Sequence, residues 1–193
     1  MVFKLASPSF LLIILVLELV FGLSKADCPQ IFNRMQWGAR AAKRVTYQNF
    51  PVKYVIINHT VTARCDTKLK CSNILLGIQN YYQNDLKWDD IPYNFLIGDN
   101  GIYEGIGWHK VGAHTYGYNS NGTGIGFIGT FSEVLPTAKA LNDTKQLLQC
   151  GVEMGELDPN YILLGGRQII ATESPGLELY GEIQNWNHWN PTP

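Results

Sequence analysis

The sequence predicts one α/β domain in which a central, mostly mixed β-sheet is flanked by helices and stapled by disulfides. Short β-branched and aromatic runs are interspersed with amphipathic stretches, an order typical of a sheet covered by helices. The 193 residues fit a single domain with an N-terminal extension. An apolar fraction of 46% is enough to bury a core, which excludes an intrinsically disordered chain. The formal net charge of −1 argues against a nucleic-acid-binding protein.

Each predicted element follows from a local pattern. Residues 52–57 are β-branched and mostly apolar, so they predict a buried strand. Ser72 is a suitable cap for a helix on which Ile78 and Tyr82 share one face. Farther along we predict a strand over 93–97, a turn at 99–101, a return strand over 102–104, a strand over 124–131, a helix over 141–152, a strand over 161–164 and a helix from Pro175 through Trp186.

The N-terminus predicts export from the cell. Lys4 precedes an apolar stretch over residues 10–23, and Ser24–Ala26 supplies small residues at the −3 and −1 positions of a cleavage site. We therefore expect a signal peptide over residues 1–26 and a secreted, extracellular domain over residues 27–193. The stretch is shorter than the about 20 apolar residues of a comfortable membrane span. An uncleaved anchor is the alternative.

Four cysteines follow the predicted signal peptide: Cys28, Cys65, Cys71 and Cys150. An even number in an exported chain predicts two disulfides, for which three connectivities exist. Cys65 and Cys71 flank a short polar loop and can meet locally, which leaves Cys28 to pair with Cys150. A zinc cluster is the rival interpretation, but the sequence has no Cys-x-x-Cys and no close Cys–His spacing.

Asparagine sequons predict glycosylation of the exported protein. Asn121 and Asn142 each begin an Asn-x-Thr triplet, so both are candidate acceptor sites. Asn58 also fits the pattern, but it ends the apolar segment that we predict as a buried strand. A glycan at that position is not expected.

Several segments together resemble the domain of the peptidoglycan recognition protein family, which has the phage-amidase fold. The resemblance rests on YVIINHT (54–60), YNFLIG (93–98), YEGIGW (103–108), GAHTYGYN (112–119), SPG (174–176) and the Cys65–Cys71 loop. It covers about residues 28–190, and the likeness is to the short, secreted insect receptors that feed the Toll pathway. Each motif is weak alone, but their joint order and spacing are specific.

The resemblance also implies a catalytic site that this sequence has lost. The family's amidases hydrolyse the lactoyl-amide bond between N-acetylmuramic acid and L-alanine, using a zinc ion held by two histidines and one cysteine. The matching positions here are Asn58, Gly166 and Ser174, which offer an amide oxygen, no side chain and a neutral hydroxyl. We therefore expect no catalytic residue, no metal and no cofactor. Tyr93 matches the family's assisting tyrosine and is expected to hydrogen-bond ligand instead.

A ligand-binding groove is implied by further matching positions. They are His59, Thr60, Tyr82, Lys87, Trp88, Tyr93, His114, Tyr118 and Asn119. Amide, hydroxyl and imidazole groups suit the amides and carboxylates of peptidoglycan, and aromatic faces can stack on its sugar or methyl groups. Tyr82 stands where many relatives have histidine, and because it shares a helical face with Ile78, a packing role is an equal alternative.

Residues 87, 88 and 120 indicate the type of stem peptide. Relatives that prefer diaminopimelate carry Gly-Trp before the Tyr93 motif and an arginine that pairs with the extra carboxylate. Here those positions hold Lys87-Trp88 and Ser120, so the missing arginine favours lysine-type peptidoglycan. Trp88, in contrast, matches the relatives that prefer diaminopimelate, and the Lys87 side chain can itself bind a carboxylate.

Three classes of function remain open at the sequence level. The first is a non-catalytic sensor of peptidoglycan or muropeptide, with secreted immune proteins upstream of a protease cascade as partners and no membrane or nucleic-acid partner. The second is an N-acetylmuramoyl-L-alanine amidase. The third is a metal-free peptidase, which would require a base such as His59 within hydrogen-bond reach of Ser174.

Overall fold

The computed structural model describes residues 28–193. The predicted signal peptide over residues 1–26 lies outside the described residues. Within residues 28–193, no helix combines the length and the apolar character needed to cross a membrane.

Strands and helices alternate irregularly along the described part of the chain. The strands are β1 (Ile31–Phe32), β2 (Val52–His59), β3 (Phe95–Gly98), β4 (Gly101–Glu104), β5 (Gly122–Phe127) and β6 (Leu157–Gly165). The helices are α1 (Arg34–Trp37), α2 (Lys68–Asn80), α3 (Ala138–Glu153) and α4 (Leu177–Ile183). Helix α2 continues as a π-helical turn over Tyr81–Asp85, and 3₁₀ turns cover Asn119–Asn121 and Gly166–Gln168.

The strands form one six-stranded sheet in the order β1-β4-β3-β5-β2-β6. Strands β3 and β4 form an antiparallel hairpin, whereas the other neighbouring pairs run parallel. The predicted mixed sheet is therefore confirmed. Because β2, β5 and β6 are parallel, their carboxyl ends meet at one edge of the sheet, where ligand sites of α/β folds commonly lie.

Buried side chains lie on both faces of the sheet. On one face, Leu147 of α3 and Leu179 of α4 belong to a buried cluster with residues of β2, β3, β5 and β6. On the other, Trp37 of α1 and Leu75 of α2 pack in a second cluster. Successive residues of β3 alternate between the two clusters, as the period of a strand requires. The helices thus flank the sheet as predicted.

Both predicted disulfides are confirmed. Cys28–Cys150 joins the arm before β1 to α3, and Cys65–Cys71 joins the loop after β2 to the first turn of α2. The two Cα atoms lie 5.1 Å apart in each bond. The second bond therefore fixes the loop that leads from the carboxyl edge of the sheet into α2.

Helix α2 begins earlier than the sequence pattern indicates. We predicted a cap at Ser72, but the helix starts at Lys68 because the Thr67 side chain accepts a hydrogen bond from the Lys70 N–H at 3.3 Å. Ser72 is buried inside the helix. Tyr82 belongs to the π-helical turn and not to the regular helix.

The C-terminal helix is shorter than predicted. Helix α4 covers Leu177–Ile183, whereas the sequence pattern indicated a helix from Pro175 through Trp186. Gly176 has a φ of 93°, a conformation that a helix cannot contain, so the helix starts after it. Trp186 lies beyond the helix and packs into the buried cluster on that face.

Other element boundaries also differ from the prediction. The strand predicted over 124–131 is β5, the strand predicted over 161–164 is the longer β6, and the helix predicted over 141–152 is the longer α3. Thr137 caps α3 by accepting from the Ala140 N–H at 3.2 Å, which explains its earlier start. Sequence analysis does not predict β1 and α1, which are too short for a periodic signal.

The two candidate glycosylation sites differ from the third sequon in exposure. Asn121 and Asn142 are exposed, the first at the end of a 3₁₀ turn and the second on α3. Asn58 is buried, with 4% of its surface exposed. Only the first two side chains are therefore accessible for modification in the folded protein.

Candidate functional site

The carboxyl edge of the sheet brings together the three positions at which the family resemblance placed a lost zinc site. Asn58 is the second-to-last residue of β2, Gly166 follows β6, and Ser174 comes from the loop before α4. The Ser174 hydroxyl donates to Asn58 Oδ1 at 3.0 Å and accepts from the His59 N–H at 2.9 Å. A Cβ atom added at Gly166 would lie 2.3 Å from Asn58 Oδ1. The asparagine amide therefore occupies the space that a side chain at residue 166 would need.

These three residues do not fit a zinc ion. Zinc sites of this type use imidazole and thiolate donors, whereas an amide oxygen, a hydroxyl and a bare backbone supply neither an imidazole nitrogen nor a thiolate sulfur. Across residues 28–193, no group of three or more His, Cys, Asp or Glu residues is placed to hold a metal ion. The chemistry of this corner is therefore hydrogen bonding between neutral groups.

His59 is fixed in one neutral form. Its Nδ1 accepts a hydrogen bond from the Phe131 N–H at 3.2 Å, so the ring proton is on Nε2. Burial lowers the pKa of His59 against the opposing effect of the Glu173 carboxylate. His59 contacts the Ser174 hydroxyl through its backbone N–H, not through its ring. The imidazole can therefore offer one N–H donor to a ligand.

Tyr93 and His114 lie directly over the bare face of β5. A Cβ atom added at Gly124 would fall 2.2 Å from the His114 ring, and one at Gly126 would fall 2.9 Å from the Tyr93 ring. Alternate glycines in β5 thus let both rings rest on the strand. Sequence analysis missed this support, although glycines at 124 and 126 in a buried strand are a signal for a close approach.

Burial keeps both of these rings uncharged. It lowers the pKa of His114 to about 4, against a weaker opposing effect of the Gly122 backbone. His114 Nδ1 lies 3.2 Å from the Thr115 hydroxyl, and its buried Nε2 has no hydrogen-bond partner within residues 28–193. Burial also raises the pKa of Tyr93, so the phenol stays protonated. The two side chains offer neutral hydrogen-bonding groups.

Two adjacent cavities contain these groups. The first, here called the histidine cavity, has a volume of about 220 Å³ and includes Asn58, His59, Tyr93, His114 and Ser174 in its lining. The second, here called the tyrosine cavity, has a volume of about 400 Å³ and is lined by Thr60, Thr62, Ile74, Gly77, Ile78, Tyr81, Tyr82 and Tyr93. Tyr93 lines both, so the two form one groove with a polar end and an aromatic end.

Lys87 and Trp88 lie beyond the aromatic end of the groove. The Trp88 ring is 4.9 Å from the Tyr82 ring between centroids, and 39% of Trp88 is exposed. Both residues line a third cavity of about 510 Å³, whose lining does not include Tyr82 or Tyr93. The structure therefore places the Lys87-Trp88 pair next to the groove and not inside its two cavities.

Tyr118 and Asn119 are placed apart from these cavities. Asn119 Oδ1 accepts from the Thr115 N–H at 2.8 Å, which holds the loop that carries His114. The Tyr118 ring packs edge-on against Tyr54 with centroids 4.8 Å apart. Neither residue lines the three cavities described above. Their contacts in the structure support the loop and not the groove surface.

Comparison with known proteins agrees with this architecture. The N-acetylmuramoyl-L-alanine amidase family matches residues 48–177. Peptidoglycan-recognition protein SA of Drosophila melanogaster is 54% identical over 88% of this chain and 84% of its own length. Peptidoglycan-recognition protein 1 of Holotrichia diomphalia is 44% identical over 98% of this chain and all of its own.

Solved structures extend the agreement to three dimensions. Drosophila PGRP-SA superposes with a TM-score of 0.85 at 53% identity, covering 86% of this chain and 96% of that one. Human PGRP-IBETAC in complex with glycosamyl muramyl pentapeptide gives 0.82 at 42% identity, covering 84% and 99%. With the predicted sheet and disulfides on a matching backbone, the chain belongs to the peptidoglycan recognition protein family.

Proposed function

We propose that this chain is a secreted, non-catalytic receptor that binds bacterial peptidoglycan and triggers innate immune signalling through a protease cascade to Toll. Family membership supports peptidoglycan as the ligand. Two structural neighbours are described with muropeptides bound: PGRP-LE with tracheal cytotoxin, a monomeric diaminopimelic acid-type peptidoglycan, and human PGRP-IBETAC with glycosamyl muramyl pentapeptide. On this chain we assign such a ligand to the groove formed by the histidine and tyrosine cavities.

The observation that carries the non-catalytic part is the hydrogen-bonded pair of Asn58 and Ser174 beside Gly166. Amide hydrolysis at this edge would require a Lewis acid to polarise the carbonyl and activate water. The residues present instead bond to each other and leave no soft or anionic donor. An amide bond held here gains binding contacts but no activated nucleophile.

The geometry around Ser174 also argues against a metal-free peptidase. A serine nucleophile needs its hydroxyl proton directed at a base. The Ser174 hydroxyl donates to the Asn58 amide oxygen, which is not a base, and meets only the backbone of His59. The imidazole Nδ1 is already engaged by the Phe131 N–H. Ser174 thus acts in our proposal as a structural bridge.

The groove chemistry fits a muropeptide. The histidine cavity is lined by polar residues that include Asn58 and His59, and the His59 imidazole keeps one N–H donor that no described contact uses. Such donors suit the amide and carboxylate oxygens of a stem peptide. The tyrosine cavity supplies aromatic faces for sugar rings or methyl groups. We retain the preference for lysine-type peptidoglycan, supported by Ser120 where an arginine is needed for the diaminopimelate carboxylate.

The test combines binding with product analysis. The mature protein, residues 27–193, is incubated with insoluble lysine-type or diaminopimelate-type peptidoglycan, and bound protein and soluble products are measured from the same tubes. We expect retention on the polymer, stronger for the lysine type, with no stem peptide or free amino acid released. Release of intact stem peptide would establish the amidase alternative, and release of terminal amino acids would establish the peptidase. Protein that remains unbound would refute the receptor.

Export and signalling need separate measurements. Expression of the full chain in insect cells should give a secreted protein whose N-terminus follows Ala26 and whose glycans, if attached, are at Asn121 and Asn142. Added to haemolymph with peptidoglycan, the mature protein should raise the activity of the secreted serine proteases. A retained, uncleaved chain or unchanged protease activity would contradict these parts of the proposal without affecting ligand binding.

A further inference from the structure

We propose that the cavity beside Trp88 is a binding site for a carboxylate at the end of the stem peptide, an inference that rests on the proposed function. Its volume of about 510 Å³ exceeds those of the histidine and tyrosine cavities. We call it the cationic pocket and define it by Arg34, Arg44, Lys87, Trp88 and Lys110.

The lining of this pocket carries more positive than negative charge. Four cationic side chains face two carboxylates, those of Asp89 and Asp90. Arg34 pairs with Asp90 at 2.8 Å and also donates to two backbone carbonyls, those of Gly105 and Arg40, so its charge is already matched. Arg44 pairs with Asp89 at 3.0 Å on the surface. Both carboxylates therefore already have a cationic partner.

Two cationic side chains of the pocket have no acidic partner among the described residues. The ammonium groups of Lys87 and Lys110 make no ion pair or hydrogen bond to any described residue, although both residues line the cavity. Two unpaired ammonium groups on residues that line one cavity attract an anion, and Asp89 and Asp90 already have cationic partners. The free charge of the pocket thus selects an anionic ligand group.

The backbones that carry both lysines are anchored. Lys87 adopts a φ of 62°, unusual for a residue with a side chain, and is held between the Leu86 and Trp88 N–H groups, which donate to the preceding π-helical turn. The Lys110 carbonyl accepts from the Asn94 side chain at 3.0 Å, and the next residue, Val111, donates to Thr46 at 2.9 Å. The lysine positions are set before a ligand arrives.

Apart from Thr46, the uncharged part of the lining is apolar and suits a small side chain. Ala42, Val45, Ile91, Ile106, Val111 and Ala113 contribute methyl groups around the cations. A peptide end that combines a methyl group with a carboxylate, as a terminal alanine does, matches both parts of this surface. The pocket adjoins the groove because Trp88 lines it and contacts Tyr82, which lines the tyrosine cavity. A stem peptide in the groove can therefore extend into the pocket.

The inference is tested with soluble lysine-type muramyl tetrapeptide, prepared with either a free terminal carboxylate or a terminal amide. Calorimetry on the mature protein should show that the free acid binds about tenfold more tightly, since a charged hydrogen bond is lost in the amide. The double substitution Lys87→Gln with Lys110→Gln should reduce this ratio to about one. Lys53→Gln, which removes an exposed lysine outside the pocket, should leave the ratio unchanged.

The outcomes separate the pocket from the proposed function. Equal binding of acid and amide by the parent protein, or a ratio that survives the double substitution, would overturn the carboxylate site while leaving the receptor intact. Failure to bind either ligand would refute the receptor itself. A diaminopimelate-type tetrapeptide amidated only at its terminal alanine also discriminates. If this peptide still binds as tightly as the free acid, the pocket binds the side-chain carboxylate and the assignment to the end of the peptide is wrong.

Discussion

The histidine cavity and the cationic pocket lie on either side of the tyrosine cavity. They differ in whether their polar groups are bonded within the protein or left without a partner. At the histidine end, Asn58 and Ser174 bond to each other, and burial keeps His114 neutral. At the other end, Lys87 and Lys110 have no charged partner within the described chain. The first end is organised by contacts within the protein, so its residues should govern stability. The second is open to a ligand, so its residues should govern affinity.

The largest expected effect is a loss of stability in acid through His114. Its pKa of about 4 in the folded protein lies below the ordinary value of 6.5, so the unfolded chain takes up the proton first. The stability contribution is complete above pH 6.5 and is lost as the pH falls. By pH 4 the free energy of unfolding should drop by about 3 kcal/mol from this group.

Urea unfolding of the parent and of His114→Gln at neutral pH and at pH 4 measures this effect. The variant should lose less stability between the two conditions, by about the amount assigned to His114. His59, whose pKa burial also lowers, acts in the same direction in both proteins and therefore cancels. Parallel losses in parent and variant would show that the ring of residue 114 is accessible to protons in the folded state.

A second prediction concerns the closed corner at residue 166. Gly166→His places a Cβ 2.3 Å from Asn58 Oδ1 in a buried site, so we expect a loss of about 2–3 kcal/mol of stability. Gly181→His is the matched control, because a Cβ at Gly181 meets nothing within 4 Å on an exposed part of α4. Thermal unfolding compares the two. Equal melting temperatures would mean that the corner is not closed.

A further prediction concerns the zinc ligands that are missing from the same corner. Asn58→His removes the amide that blocks residue 166, so combining it with Gly166→His and Ser174→Cys should supply a complete set of nitrogen and thiolate donors. Elemental analysis should find about one zinc per chain in the triple variant and none retained by the parent. Each pair of substitutions should bind zinc more weakly, because the ligands act as a set. Tightly held zinc in the parent would show that residues 58, 166 and 174 can bind the metal and would contradict the contrast drawn between the two ends.

The fourth prediction concerns the cationic pocket. Trp88→Ala removes an exposed aromatic face next to the groove, and aromatic anchors of this kind commonly contribute about 2 kcal/mol or more to binding. We expect muropeptide affinity to fall at least about tenfold, and circular dichroism checks that the variant is folded, because the ring also packs against Tyr82. Tyr116→Ala, at a residue that is 90% exposed and lines none of the three cavities, is the control. Equal losses in both variants would show that the groove is misplaced.

The difference between the two ends also explains what the sequence could predict. The resemblance to the family picks out positions 58, 166 and 174, and the residue types there show by their chemistry that zinc donors are missing; the two disulfides follow from spacing and parity. Neither inference requires an interatomic distance. The steric conflict between Asn58 and a side chain at residue 166 could not be predicted without one, because it depends on how two parallel strands end side by side.

Other features depended on contacts between segments far apart in sequence. The rings of Tyr93 and His114 rest on β5 only because two loops fold back over Gly124 and Gly126. The cationic pocket joins the loop around Arg44 to the segment after Trp88 and to the strand-like segment at Lys110. Short elements such as α1 give no periodic signal, since a four-residue helix is fixed by its capping interactions. Local patterns therefore identified single residues but not their grouping.

The smallest expected effect lies where the two ends meet, at Tyr93, which lines both the histidine and the tyrosine cavities. Its ring packs on β5, but its hydroxyl makes no hydrogen bond to any described residue, so Tyr93→Phe should leave the melting temperature unchanged. A ligand amide or carboxylate can accept from that hydroxyl, whose burial-raised pKa keeps it protonated. Loss of one such bond should weaken muropeptide binding by about fivefold, as a hydrogen bond of about 1 kcal/mol implies. Calorimetry and thermal unfolding of the same samples give both numbers. Reduced stability with unchanged affinity would assign Tyr93 to the closed end, whereas reduced affinity alone would extend the open, ligand-facing surface to the edge of the histidine cavity.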